Sequence, residues 1–120
     1  MKLPRNQEAI IPERKITDYL LSESHPLGKA KAKYFRSLGY SERNASQLKE
    51  ALAAIAVMNE VTESVSTPFG TKYIVDGGLA APSGTRAGVR TVWIMEAGEG
   101  LPRFVTAYPR DEENRGVESD

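Results

Sequence analysis

"GTKYIVDGGLAAPSGTRAGVRTVWIME", from Gly70 to Glu96, decides the fold. On either side of the turn-forming Pro82-Ser83-Gly84, apolar and polar residues alternate with the period of a half-buried strand. The spacing predicts two antiparallel strands. Tyr73, Val75, Val89, Thr91 and Trp93 fall on one face, and Lys72, Asp76, Arg86 and Arg90 on the other. Val92 and Ile94 join the second face, so it is not wholly polar. The same period continues outward. "VTESVSTP" (61–68) precedes the run across Pro68-Phe69-Gly70, and "PRFVTAYP" (102–109) follows it across Gly98-Glu99-Gly100. The last segment adds Val105 and Ala107 to the apolar face and Thr106 and Tyr108 to the polar one. Four strands with short connections make a meander, and its apolar side needs a cover.

The first half of the chain supplies that cover. In "PERKITDYLLS" (12–22), Pro12 suits a first helical turn, and Ile16, Tyr19 and Leu20 recur on one face. Pro26 then pushes His25 out of the α region and ends the element. A second helix, about Lys29 to Leu38, groups Ala32, Phe35 and Leu38 and stops at Gly39. Ser41 or Asn44 caps a third, running to about Met58 with Leu48, Leu52 and Ile55 one turn apart. The expected fold class is α+β, with about three N-terminal helices packed on one face of a four-stranded antiparallel β-meander. A single domain is expected over 1–109, with 110–120 as an acidic, disordered tail.

Composition narrows the function classes. A chain of 120 residues suffices for one core. It has no cysteine, which excludes disulfides and thiolate metal sites, and one histidine, which excludes a multi-histidine metal centre. No apolar run could span a bilayer, so no membrane partner is expected, and "MKLPRNQEAIIPERK" lacks a signal-peptide core; the default expectation is cytoplasmic. Sixteen basic residues balance sixteen acidic ones, but the final "DEENRGVESD" holds five acids against one arginine. Between Ser24 and Ser41 there is no acid, while Lys29, Lys31, Lys33 and Arg36 are all basic. That patch suits an anion, though it falls short of a duplex-DNA binder, and it reads equally as a solvated helix face.

Familiar motifs are absent. There is no phosphate-binding loop, no dinucleotide fingerprint and no G-x-S-x-G turn to serve a histidine-dependent hydrolase. What remains is an open sheet face with Lys72, Arg86, Arg90, Thr106 and Tyr108, near a loop holding His25. These residue types suit cleavage of an RNA phosphodiester without a metal or any other cofactor. That reaction needs a base for the 2′-hydroxyl, an acid for the leaving oxygen, and cations for charge developing on phosphorus. His25 fits the first or second role and arginine's planar fork fits the third. The remaining proton-transfer role stays open among Glu63, Tyr108 and Lys31. Plainer readings stand beside these. His25 reads as a helix-boundary residue, Arg90 as a cross-strand partner of Asp76, and Trp93 as a core anchor.

Four segments, "HPLGKAKAKYFRSLGY", "TPFGTKYIVDGGLAAPSG", "VRTVWIME" and "PRFVTAYP", resemble a bacterial domain family of uncharacterised function. That family occurs as standalone proteins and as C-terminal domains of large secreted toxins. The ending in "TAYP" is also similar to domains grouped with the barnase, EndoU, colicin and RelE ribonuclease folds. The resemblance implies His25 for proton transfer, Lys31 and Arg90 for the scissile phosphate, and Thr106 or Tyr108 to orient it; the charged sheet face itself adds Lys72 and Arg86 as further phosphate contacts. It also implies RNA as substrate and a small antidote protein as partner. Two other readings compete. One is a non-catalytic protein-binding module that uses the open sheet face for a toxin-antitoxin or immunity-type partner, motivated by the near-neutral charge and the lack of a second clear proton-transfer residue. The other is a single-strand nucleic-acid binder, which needs exposed stacking aromatics. Val92 and Ile94 on the uncovered face also suggest a homodimer surface.

Overall fold

The structure, a computed structural model, describes residues 1–98 and 100–110. Four antiparallel strands form one sheet in chain order: β1 (Val61–Thr67), β2 (Gly70–Ala80), β3 (Arg86–Glu96) and β4 (Arg103–Pro109). The register follows the expected alternation across most of the sheet. Val75, Thr91 and Ala107 share one row, and Tyr73, Trp93 and Phe104 share the next on the same face. At the start of β2, Gly70 has φ 147°, and a side chain there would run into the Met95 carbonyl.

Two positions depart from the regular ladder: Thr62 on β1, between the Val61–Val75 and Glu63–Ile74 pairs, and Val105 on β4. Val92 pairs with Thr106 and Trp93 with Phe104, which leaves Val105 without a partner. The expectation that Val105 faces the core is therefore corrected. A β-bulge inserts one residue and turns Phe104 inward instead. The bulge brings the larger ring against Trp93, with centroids 5.3 Å apart and planes at 72°.

Three helices precede the sheet: α1 (Glu13–Lys15), which continues as a π-helical turn (Ile16–Leu20), then α2 (Lys29–Ser37) and α3 (Ala45–Met58). The first helix ends two residues earlier than its sequence pattern predicts, as the Leu21 amide bonds the Ile16 carbonyl at 2.9 Å. Gly39, at φ 101°, ends α2 as expected. Both cap candidates act in one capping box. The Ser41 hydroxyl accepts from the Arg43 amide at 3.2 Å, and the Asn44 side-chain oxygen accepts from the Ser41 amide at 2.7 Å.

Leu48, Leu52 and Ile55 of α3 and Phe35 of α2 close over Val75, Val89, Trp93 and Phe104, all buried. Each such side chain contributes about 1.5–3 kcal/mol. Among them lies one polar residue, Thr91, which is fully buried. Its hydroxyl donates to the Val75 carbonyl at 2.7 Å and accepts from Trp93 Nε1 at 2.8 Å. The N-terminal segment then runs to the outer edge of β4. There Ile10 forms a parallel bridge to Arg103, and the Phe104 amide bonds the Ile10 carbonyl at 2.8 Å.

At the far end, the Arg110 amide bonds the Gly88 carbonyl at 3.0 Å, while the rest of the expected tail lies outside the described residues. No helix among the described residues is long and apolar enough to cross a membrane.

Replacing Thr91 by valine keeps its volume but leaves the indole N–H of Trp93 buried and unpaired. The Thr91→Val variant should lose about 1–3 kcal/mol of unfolding free energy, measured by urea denaturation. A loss near zero would mean that the hydroxyl does not hold the indole.

Candidate functional site

The edge of β4 builds the most chemically loaded cleft. α1 runs beside that edge, and Lys15 Nζ donates to the Val105 carbonyl at 3.0 Å. One turn later the Tyr19 hydroxyl meets the Thr106 hydroxyl at 2.9 Å. Three further groups gather on the Tyr19 ring. Lys15 Nζ stands 5.1 Å and Lys31 Nζ 5.8 Å from its centroid, within cation–π range. The His25 ring packs at 5.1 Å with an interplanar angle of 77°. The resulting open cleft has a volume of about 450 Å³ and is lined by Arg14, Lys15, Tyr19, His25, Leu27 and Thr106. Asp18 is the one acid on its wall. Its balance of charge therefore favours an anion.

Local sequence explains how His25 arrives there. Pro26 forces an extended residue before it, and the loop turns back on itself at once. His25 Nδ1 accepts from the amides of Leu27 at 3.0 Å and Gly28 at 3.1 Å. Its carbonyl accepts from Gly28 and Lys29, which starts α2. Gly28 is buried against the Tyr19 carbonyl, where any side chain would collide. The loop is thereby pressed onto the π-helical turn.

A second cluster lies on the uncovered face of the sheet. Arg90 donates through Nε at 2.8 Å and through its second nitrogen at 2.9 Å to the two carboxylate oxygens of Asp76, a bidentate pair. Only 5% of the Asp76 side chain is exposed, and Arg110 Nε approaches it at 3.4 Å from the other side. The Asp76 hydrogen bonds, and secondarily contact with Tyr108, raise the pKa of Arg90 against the opposing effect of burial. Tyr108 stands directly across from Arg90 on β4, two residues beyond Thr106 on the same face. The two clusters are thus joined by one strand.

Of the residues singled out in the sequence, His25, Lys31 and Thr106 come together around Tyr19. Arg90 and Tyr108 sit beside them on the sheet, with the Arg90 fork engaged by Asp76. Lys72 is exposed opposite Ile94. Arg86 lies elsewhere, over Gly78 in a shallow cavity with Met58 and Asn59 at the end of α3. Glu63 is on β1, opposite Ile74. The alternating lysines of α2 also divide, since Lys29 and Lys33 line a separate cavity with Arg36. Sequence reasoning missed Arg14, Lys15 and Tyr19 as cleft residues. The available signal was the i, i+4 spacing of Lys15 and Tyr19.

Three comparisons bear on the chain. The model of a family described as "Domain of unknown function (DUF6883)" matches residues 2–111. Among solved structures, one similar chain comes from a "Contact-dependent growth inhibition toxin - immunity protein complex from Klebsiella pneumoniae 342". It superposes with a TM-score of 0.68 at 22% identity, covering 84% of this chain and 99% of that chain. At that identity the likeness is one of fold. No curated protein matches.

The Asp76 carboxylate holds Arg90 in place across the sheet. Asp76→Ala should cost about 1.5–3 kcal/mol, and Arg90→Ala in that background should add little. A double-mutant cycle by chemical denaturation checks this. Purely additive losses would show that the pair does not couple.

Proposed function

The chain belongs to the DUF6883 family, domains of unknown function, and from the cleft we propose that it is a toxin-type endoribonuclease cutting RNA phosphodiesters without a metal. One observation carries the reading: His25, Lys15, Lys31 and Thr106 converge on Tyr19 in an open, cationic cleft. A basic cleft suits a phosphate better than a divalent cation. Transesterification removes the 2′-hydroxyl proton, forms a bond from that oxygen to phosphorus, and returns a proton to the departing 5′-oxygen. Lys31, Lys15 and Arg14 supply positive charge for the phosphate, while Thr106 and Tyr108 align it along β4. Arg90, with Asp76 fixing its plane, extends the positive surface toward the neighbouring nucleotide. Lys72 and Arg86, remote from the cleft, are left as contacts to flanking backbone phosphates. The fold occurs in a toxin–immunity complex, which fits either member of such a pair.

A second reading, a non-catalytic module binding a partner of antitoxin or immunity type, is favoured by one feature. Residues 62–66 of β1 are exposed on both faces, and Phe69 at the hairpin tip is 76% exposed. An uncovered edge strand with an apolar tip is a surface for protein contact.

Induced expression in bacteria separates the two. Wild type should arrest growth and fragment total RNA, and an Arg14→Ala, Lys31→Ala variant should lose at least about tenfold in cleavage rate. RNA left intact by both removes the ribonuclease reading. The partner reading then predicts that Phe69→Ala and Lys72→Glu weaken binding to a protein partner of toxin-antitoxin or immunity type, measured by titration calorimetry.

A further inference from the structure

His25 does more for the fold than its composition requires. Its Nδ1 accepts from the amides two and three residues ahead. That is the turn an asparagine or aspartate makes with its side-chain oxygen, and Asn-Pro is a common way to start it. One acceptor atom is enough for this work, yet the chain carries a ring with a second nitrogen. Two amide donors on Nδ1 also settle where the proton of the neutral ring lies, because a protonated Nδ1 could not accept from either. The proton is on Nε2. No hydrogen bond joins Nε2 to any described residue, and the ring lines the cleft beside Tyr19 and the two lysines.

We propose that the two nitrogens of His25 are divided between fold and function. Nδ1 closes the turn into α2, and Nε2–H donates a hydrogen bond to a non-bridging oxygen of an RNA phosphodiester in the cleft. The second half rests on the ribonuclease reading; the first does not. The assignment makes His25 a phosphate-orienting donor. Serving as a base would require the proton to move to Nδ1, which would break both amide bonds and open the loop that seats Gly28 on Tyr19. Proton transfer therefore falls to other cleft groups.

Two conservative variants separate the nitrogens. In His25→Asn the side-chain oxygen takes the place of Nδ1 and nothing replaces Nε2. In His25→Gln the amide nitrogen reaches toward the Nε2 position and the Nδ1 acceptor is lost. His25→Asn should keep the wild-type melting temperature but bind a 2′-O-methylated single-stranded RNA at least about tenfold more weakly, as expected for a lost charge-assisted bond. His25→Gln should melt earlier and keep more of the binding. Two-bond proton–nitrogen spectra of wild type at about pH 8, where an ordinary imidazole is neutral, should show the Nε2–H tautomer alone.

An Nδ1–H or averaged tautomer overturns the assignment, as does a His25→Asn melting temperature as low as that of His25→Ala. Wild-type RNA affinity in His25→Asn overturns the donor role. Wild type that neither binds nor cuts RNA, with the tautomer fixed as expected, removes the ribonuclease reading and the donor role together. The structural role of Nδ1 then stands on its own.

Discussion

The outer edge of β4 is the constraint on which the rest of the molecule depends. A strand at the margin of a sheet presents amides and carbonyls that must find partners or water. Here the N-terminal segment ties down that edge at three points, two of them on its backbone. Ile10 pairs as a short parallel strand, Lys15 reaches the Val105 carbonyl through its side chain, and Tyr19 ties the Thr106 hydroxyl. A continuous fifth strand would have sealed the edge. Side chains reaching from a helix leave a gap instead, and the gap is the cleft. The bulge at Val105 belongs to the same arrangement, since it frees one residue from the ladder just where helix and strand meet.

The two faces of the sheet carry different physics. On the covered face, burial of Trp93, Phe104 and the α3 leucines supplies the driving force, and the Thr91 hydroxyl fixes the register of the indole. On the other face, Asp76 sits nearly buried between two arginines. A carboxylate so placed is costly without its partners and orients them rigidly when they are present. The positive surface beside the cleft is therefore held in a defined plane, with less of the conformational freedom that a solvated arginine loses on binding.

Strand positions were legible because the covered face demands alternation, and residues 70–96 supply it on that face, with Val92 and Ile94 as apolar exceptions on the other. Fold class, helix order and the Gly39 stop followed from equally local chemistry. The pairing of Arg90 with Asp76 was within reach too, since a hairpin turning at Pro82-Ser83-Gly84 sets residues 76 and 90 opposite each other. Val105 was misplaced because "FVTAY" contains an apolar residue at both candidate positions, and alternation alone cannot locate an extra residue between them. Tyr19 was hidden for a different reason. A tyrosine beside Ile16 and Leu20 looks like a member of an apolar stripe. The π-helical turn and the contact with Thr106, 87 positions away, are tertiary facts that no local window contains. The division of the α2 lysines, by contrast, follows directly from helical period once one contact of Lys31 is known.

The reach from Tyr19 to Thr106 also sets an order of events. During synthesis the N-terminal helix is complete long before β4 exists, and local hairpins close far sooner than a loop of that length. The two halves of the cleft can meet only when the last strand has emerged and docked on β3. Until then the ribosome carries a chain with its core partly formed and no cleft at all. The cleft is absent until β4 has docked, and any truncation within β4 removes it permanently.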